Sequence, residues 1–418
     1  MNISGMLVKA TEWLRPILLK IFPNQFLRYI KKKLIKDGYI KMLGMSREQF
    51  QRTKYKDGIN LIGNIKADTG LGQSCRLIAA ELEKTRLPYS VYQYNQIGVM
   101  SNANLQFESK ITKDLPYNIN LIHINPHELG MAFLQLDRSI WKGRYNIGFW
   151  LWELEEFPDE WIPCFRLLDE IWTPSEFISN SIRKKTELPV ITVPYHVTAP
   201  IANKYARSDF SLPEDVFLFM MMYDRTSVTE RKNPGAVIEA YKMAFKQNEK
   251  TGLVIKINNC TDEEIQELKA SMENHPNVYF ITEILNRDQV SSLIQCVDVV
   301  VSLHRAEGFG LVLAEAMLLG TPVIATNWSS NTEFMTAEVS CLVDYKLVEL
   351  QENIGLFKKG NHWANANVEQ AATFMRKLYE EPEYHQMMSK QAKTHIEDRL
   401  SMEQAVNIIN DRISRLYG

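Results

Sequence analysis

Ser302-Leu-His-Arg-Ala-Glu307-Gly308-Phe309-Gly310-Leu311-Val-Leu-Ala-Glu315 is the stretch whose reading decides the fold. It joins an apolar, strand-like run, Val297–Ser302, to a Leu- and Ala-rich run that reads as a helix over Gly310–Leu319. At such a junction the first backbone N–H groups of the helix have no intrahelical partner, and the helix dipole favours an anion there. Gly308 and Gly310 permit close approach of a phosphate to the backbone. Glu307 falls in the loop and Glu315 in the second helical turn, and carboxylates accept hydrogen bonds from paired hydroxyls. An anion cradle flanked by two such carboxylates suits a sugar carried on a nucleoside diphosphate. Taken alone, however, the two glutamates favour an ordinary strand–loop–helix with an acid at each end.

Working outward, Gly320 is placed to end the helix and Pro322–Thr326 reads as the next strand. Upstream, Val216–Met222, Leu253–Ile257 and Val278–Ile281 read as strands. Asp262–Glu273 and Arg287–Cys296 read as helices, and Pro234 opens another. An earlier series has strands at Ile59–Ile62, Ser90–Tyr94, Ile119–Ile124, Tyr145–Leu151, Glu170–Thr173 and Val190–Val193. Its helices are expected from about Gln73 to Lys84, over Glu160–Asp169, and after a Ser175 cap. Strands alternating with helices imply parallel sheets wrapped by helices, here twice, with a polar linker around residues 198–208. The last stretch, 380–418, reads as helical, with an amphipathic face from Met402 to Leu416.

A chain of 418 residues suits two α/β domains better than one core. A formal net charge of −2 gives no sign of a nucleic-acid partner. The five cysteines are scattered without a CxxC pair, which argues against a disulfide framework and a zinc site and fits a reducing compartment. No run approaches the length of a membrane span. Residues 1–44 differ from the rest. Lysines and arginines there interleave with Trp13, Leu14, Phe22, Phe26, Tyr29 and Ile30, a pattern that suits either a helix lying on an anionic membrane surface or a basic helix packed on the first domain.

The run EGFGLVLAEAMLLGTPVIATNWSSNTEF closely resembles the family 4 retaining glycosyltransferases of the GT-B fold, whose signature is Glu, seven residues, Glu, then a GxPVIA strand and a second loop ending in Glu. The resemblance implies two Rossmann-like domains facing each other across a cleft. It divides the chain into a basic segment 1–44, an acceptor domain 45–200, a donor domain 201–395 and a helix 396–418 returning to the first domain. It implies transfer of a sugar from a nucleoside-diphosphate donor to a glycan or lipid-linked glycan hydroxyl. That reading needs no cofactor and no metal. The cysteine usage and the lack of a signal-peptide pattern read as a cytoplasmic protein, and the membrane reading of residues 1–44 would make it peripheral on the inner face of the cell membrane. Glu307 would contact the donor sugar. Gly308, Phe309, Gly310 and Leu311 would offer amides to phosphate and nucleoside, and Glu315 would hold the ribose.

Asp224-Arg225-Thr-Ser-Val-Thr-Glu-Arg231-Lys232-Asn233-Pro234 supplies the cations that a departing diphosphate requires. Lys232 matches the family lysine, and the RKNP run resembles a subgroup. The family arginine is either Arg225, displaced by one position, or Arg231. In the first domain, Gly63-Asn-Ile-Lys-Ala-Asp-Thr-Gly70-Leu71-Gly72 resembles the loop that faces the donor phosphates. Asn120-Leu-Ile-His123-Ile-Asn125-Pro-His127-Glu128 resembles the acceptor-side region. Where many relatives carry a histidine after the next strand, this chain has Trp152 and Glu153, making Glu153 a candidate for a sugar hydroxyl and Trp152 an acceptor-side candidate. The departures leave a second reading, a non-catalytic GT-B subunit that binds sugar nucleotides or serves as a scaffold.

Overall fold

The structure is a computed structural model that describes residues 24–46, 48–95, 104–272, 275 and 277–418. The part of the basic-segment expectation that concerns residues 1–23 lies outside the described residues. The chain forms two compact units. One comprises residues up to Trp152, Glu156–His196 and Met402–Gly418; the other comprises Glu153–Glu155 and Val197–Ser401.

The first unit is built on a six-stranded parallel sheet. Its strands are β1 (Lys56–Gly63), β2 (Tyr89–Gln93), β3 (Tyr117–His123), β4 (Tyr145–Phe149), β5 (Glu170–Thr173) and β6 (Val190–Thr192), in the order β2-β1-β3-β4-β5-β6. Register across the centre is fixed by a ladder of buried asparagines. Asn60 donates to Asn120 at 2.9 Å and Asn120 donates to Asn146 at 2.8 Å. These residues stand opposite each other in the β1–β3 and β3–β4 pairings. A one-residue slip would leave buried amides unpaired, at about 1–3 kcal/mol each.

Helices α1 (Asn24–Leu43), α2 (Gly70–Leu82), α3 (Pro126–Gln135) and α4 (Glu176–Arg183) belong to this unit. Helix α1 packs on α3 through glycines: a Cβ on Gly38 would stand 2.1 Å from the Gly130 carbonyl oxygen. Met42 is buried, and Lys31 pairs with Glu128 at 2.5 Å. The described part of the basic segment is therefore packed on the first unit, while Tyr29, Ile40 and Leu43 stay exposed. The terminal helix Met402–Tyr417 joins the same unit. There Arg412 holds the fully buried Glu170, which also accepts from Trp172 at 2.6 Å and from Tyr145 at 2.9 Å.

Two local expectations are corrected. The segment Asp159–Leu167 is a 3-10 helix rather than an α-helix, because Pro163 inside it removes a donor. Helix α2 starts at Gly70, not Gln73, because Thr69 caps it, with the Gly72 N–H donating to Thr69 Oγ1 at 3.2 Å.

The second unit is likewise built on a parallel sheet. Its strands are β7 (Phe217–Asp224), β8 (Thr251–Asn258), β9 (Val278–Ile281), β10 (Val299–Ser302), β11 (Val323–Thr326) and β12 (Cys341–Val343), ordered β12-β11-β10-β7-β8-β9. That is the Rossmann order, counting outward from β7 on one side and β10 on the other. The short α5 (Thr229–Lys232) and α6 (Pro234–Ala244) follow β7, α7 (Asp262–Ser271) follows β8, α8 (Arg287–Cys296) follows β9, and α9 (Leu311–Leu319) follows β10. An antiparallel pair, β13 (Tyr345–Glu349) and β14 (His362–Ala366), precedes α10 (Val368–Glu380) and α11 (Pro382–Arg399). Gly320 ends α9 at φ 78°, as expected from its place. Among the described residues no helix is long and apolar enough to cross a membrane.

Candidate functional site

In open α/β sheets the crevice for a ligand lies beyond the carboxyl ends of the strands, where the strand order reverses direction. In the second unit that point is between β7 and β10. The loops leaving these strands carry Arg231, Lys232 and Glu307, and the structure brings the three together. Lys232 Nζ hydrogen-bonds Glu307 Oε2, and Arg231 Nη1 lies 3.5 Å from the same oxygen. Arg231 also donates to the Ala306 carbonyl at 2.8 Å. Burial opposes the charge on Glu307, but Lys232 and then Arg231 outweigh it and hold the carboxyl well below the usual carboxylate range. Burial, with Arg231 alongside, draws the Lys232 ammonium down despite Glu307. Two cations thus converge on one carboxylate, with a second carboxylate, Glu153, within electrostatic reach of all three.

Arg225 is not part of this group. Its Nε pairs with Glu264 at 3.0 Å, with the Arg225 side chain 49% exposed. The cause is the turn after β7, where Asp224 caps Thr226 and closes a 3-10 turn over Arg225–Ser227. The cation beside Lys232 is therefore Arg231. Glu153 is grouped with the second unit; burial pushes its carboxyl up, Arg231 and Lys232 pull it down, and Glu307 pushes it up.

Backbone strain surrounds the cluster. Val228, immediately before α5, has φ 66° and ψ 97°, and Asn233, immediately after it, has φ 54°. Ser329 has φ 73° and ψ −156°, a region otherwise kept for glycine. Its hydroxyl accepts from the Glu307 N–H and donates to the Glu307 carbonyl, both at 3.0 Å, which fixes the backbone of the acid. Asn233 Nδ2 donates to the Leu303 carbonyl at 3.0 Å, tying the end of α5 to the loop after β10.

Next to Glu307 begins α9. Its N-cap, Gly310, has φ 94° and makes no side-chain cap bond. The Leu313 and Ala314 amides donate to the Gly310 carbonyl at 2.9 and 3.0 Å, and those of Leu311 and Val312 are left as a surface suited to phosphate. Phe309 is buried and packs against Phe334 at 5.2 Å between ring centroids. The Gly308 N–H donates to Glu307 Oε1 at 3.2 Å. Glu315 is buried within α9 and pairs with Arg287 of α8 at 2.6 Å. Burial raises its carboxyl, against Arg287.

His304 belongs to the site although no sequence signal singles it out beyond its place next to the end of β10. Its Nε2 faces two acceptors, the Trp328 carbonyl at 3.2 Å and Asn331 Oδ1 at 3.0 Å, and therefore carries the proton; its Nδ1 accepts from Ser302 at 3.0 Å. Burial keeps it neutral by lowering its pKa. Arg287, the partner of Glu315, is likewise invisible to spacing arguments, because it comes from another helix.

In the first unit the strand order reverses between β1 and β3. A pocket there is lined by Asn64, Thr69, Gly72, Tyr94, His123 and Glu128 among others, with Leu71 on its wall. His123 accepts or donates at 2.6 Å to Ser74, whose hydroxyl contacts Tyr195, and it stacks on Phe149 at 5.2 Å. Burial lowers its pKa to about 4, so the ring is neutral. The glycines play unequal parts. A Cβ on Gly72 would meet the Ala67 carbonyl oxygen at 2.0 Å, whereas one on Gly70 would meet nothing within 4 Å. Gly72 thus serves helix packing, and Gly70 borders open space.

His127 packs near Trp161, with burial lowering its pKa. Trp152 is not a surface for a sugar: it is 1% exposed, packs edge-on against Trp161 at 4.8 Å and donates to the Glu156 carbonyl at 3.0 Å. Phe149, Trp150, Phe157 and Trp161 are buried with it in the core.

A segment is similar to an O-antigen biosynthesis glycosyltransferase, WclY, of Escherichia coli, 29% identical over 121 residues. That match spans 29% of this chain and 31% of the relative. The fold is similar to sucrose-phosphate synthase from Thermosynechococcus elongatus, with a TM-score of 0.62 at 14% identity, covering 87% of this chain and 99% of that one. It is also similar to Anabaena Alr3699/HepE, solved in complex with UDP and glucose, with a TM-score of 0.57 at 14% identity, covering 86% of this chain and 100% of that one. At such identity the likeness concerns the fold, which is the two-sheet GT-B arrangement. Residues 225–395, the part of the chain that holds Arg231, Lys232, Glu307 and Glu315, match the family model described as Glycosyl transferases group 1.

Proposed function

We propose that the protein is a retaining glycosyltransferase that moves a sugar from a nucleoside diphosphate to a hydroxyl of a glycan or lipid-linked glycan, using side-chain cations where other transferases use a metal. The observation that carries this reading is the Glu307–Lys232–Arg231 cluster beside the uncapped start of α9, at the switch point of the second sheet. Its two fixed cations suit a diphosphate, whose charge grows as the glycosidic bond breaks. The match of residues 225–395 to a glycosyltransferase family supports the same reading.

Chemically, Lys232 and Arg231 would stabilise the leaving diphosphate. Glu307, held ionised, would accept hydrogen bonds from the donor sugar. Front-face departure of the diphosphate would let its own oxygen take the proton of the acceptor hydroxyl. Transfer from a radiolabelled sugar nucleotide, measured for Glu307→Ala and Lys232→Ala, tests the assignment; full activity in both variants would refute it.

The exposed face of α1 supports a peripheral membrane role. Tyr29, Ile40 and Leu43 are exposed on the same helix as exposed Lys32, Lys33 and Lys36. Aromatic and aliphatic groups among lysines suit an anionic lipid surface, with about 1 kcal/mol per lysine. Because α1 is packed through Gly38 and Met42, the test is substitution and not deletion. Lys32→Glu with Lys33→Glu and Lys36→Glu should release the protein from phosphatidylserine vesicles, and unchanged binding would reject the role.

A further inference from the structure

Helix α5 carries both Arg231 and Lys232, yet it is a single turn, too short to hold its own direction. Val228, with φ 66°, precedes it, and Asn233, with φ 54°, follows it. The last carbonyls of a helix find no partner inside it. Here one residue from another loop serves two of them. The Arg305 N–H donates to the Arg231 carbonyl at 2.8 Å, and Arg305 Nη1 donates to the Glu230 carbonyl at 3.1 Å. Arg305 lies just before Glu307 in the chain, so the segment that carries the acid also anchors the helix that carries its cations.

Arg305 is itself held by the β13–β14 hairpin. Its carbonyl accepts from the Ala364 N–H at 2.9 Å, and its guanidinium lies over the Trp363 ring, 5.1 Å from the centroid. Trp363 and Ala364 are buried, as are Leu350 and Phe357 in the connection between the two strands. That connection closes on Val228: a Cβ on Gly355 would stand 2.8 Å from Val228 Cγ2. Tyr345, at the start of the hairpin, packs on Trp328 at 5.0 Å between centroids, beside the Ser329 that fixes the Glu307 backbone. We propose that Arg305 is a positioning residue, clamped by the β13–β14 hairpin, that sets the direction of α5 and so holds Arg231 and Lys232 on Glu307. The inference rests on the transferase reading, in which those two cations meet a diphosphate. Arg305 acts through α5 and does not touch the diphosphate.

The test uses the full chain. Arg305→Met keeps the backbone N–H and the apolar stem but removes the donor to Glu230 and the charge over Trp363. Hydrogen exchange read by mass spectrometry, without ligand, should rise about tenfold over residues 229–233 and stay within about twofold over 217–224 of β7. A general loss of stability would raise both. Arg305→Lys restores a cationic donor and should return exchange to within about threefold of the parent. Gly355→Ala lies on the exposed connection and presses on Val228 independently of Arg305. It should raise exchange over 229–233 in the same direction, which keeps the inference open to refutation if Arg305→Met fails to fold.

Calorimetry with UDP, GDP, ADP and dTDP follows the consequence for binding. Arg305→Met should weaken whichever diphosphate binds about fivefold. In a Lys232→Ala background the same substitution should weaken it less than about twofold, because a cation it positions is gone. Unchanged exchange over 229–233 in the variants, a rise spread evenly over the sheet, or raised exchange with parental affinity would overturn the inference. So would an undiminished loss of affinity in the Lys232→Ala background, which would mean that Arg305 meets the diphosphate itself. Raised exchange over 229–233 with no binding of any of the four would count against the transferase reading alone.

Discussion

The crevice between β1 and β3 and the crevice between β7 and β10 hold the same place in their respective sheets, yet their electrostatics differ. In the first, burial acts on the lone His123 and neutralises it, while Glu128 stays paired with Lys31. His123 falls to about 4; elsewhere in the same unit Glu81, buried near Tyr195 with only the His196 N–H at 2.7 Å to offset burial, rises to about 8. In the second, burial acts on a group of charges, and Lys232 and Arg231 keep Glu307 ionised against it. The difference teaches that burial alone does not set charge; the partners do. The fixed cations of the second crevice suit a diphosphate.

The sharpest way to break this contrast is to remove a cation from the second crevice. Lys232→Ala should lower transfer about 10²–10³-fold, the usual loss when one preorganised donor to a developing anion is deleted. Steady-state rates against donor concentration check this, and a change below about threefold would remove Lys232 from the mechanism. The first crevice should respond in stability instead. Gly72→Ala places a Cβ 2.0 Å from the Ala67 carbonyl oxygen and should destabilise by about 1–3 kcal/mol in urea unfolding. Gly70→Ala meets nothing and should be neutral or slightly stabilising by the same measurement.

The pH response of Glu81 sharpens the comparison further. Its folded pKa lies above its unfolded value, so its contribution is full below about pH 4.5 and is lost as pH rises towards about 8. Glu81→Gln should therefore match the parent near pH 4.5. It should then gain about 1.4 kcal/mol relative to it for each pH unit across that window. A pH-independent difference in urea unfolding would contradict the assignment. The smallest effect is expected at Arg225. Its pair with Glu264 is exposed on the arginine side, and Arg225→Ala should change stability by less than about 1 kcal/mol and transfer by less than about threefold.

Much of the second unit was legible in the sequence because local chemistry dictates it. Pro234 opens α6, Gly320 closes α9, and the Glu307 stretch lies between β10 and α9 as its glycines require. What stayed open were choices made through space. The spacing of Arg225 and Arg231 was compatible with either one joining Lys232, and the Asp224 turn decided it. The Arg287–Glu315 pair joins two helices, and the strain at Val228 and Ser329 has no compositional sign because neither is a glycine.

In the first unit, Trp152 reads as an acceptor-side candidate until its burial is known, and the asparagine ladder is legible only once register aligns Asn60, Asn120 and Asn146. Gly70 and Gly72 look alike in sequence, and only the neighbouring Ala67 carbonyl separates their roles.

The central claim is that the crevice of the second unit holds a nucleoside diphosphate. Its most direct test is equilibrium binding of UDP, GDP, ADP and dTDP to the parent, to Lys232→Ala and to Asn64→Asp, read by calorimetry. The account predicts that at least one nucleotide binds, that Lys232→Ala weakens it about tenfold or more, and that Asn64→Asp leaves it unchanged. Binding that survives Lys232→Ala intact, or no binding of any of the four, would contradict it.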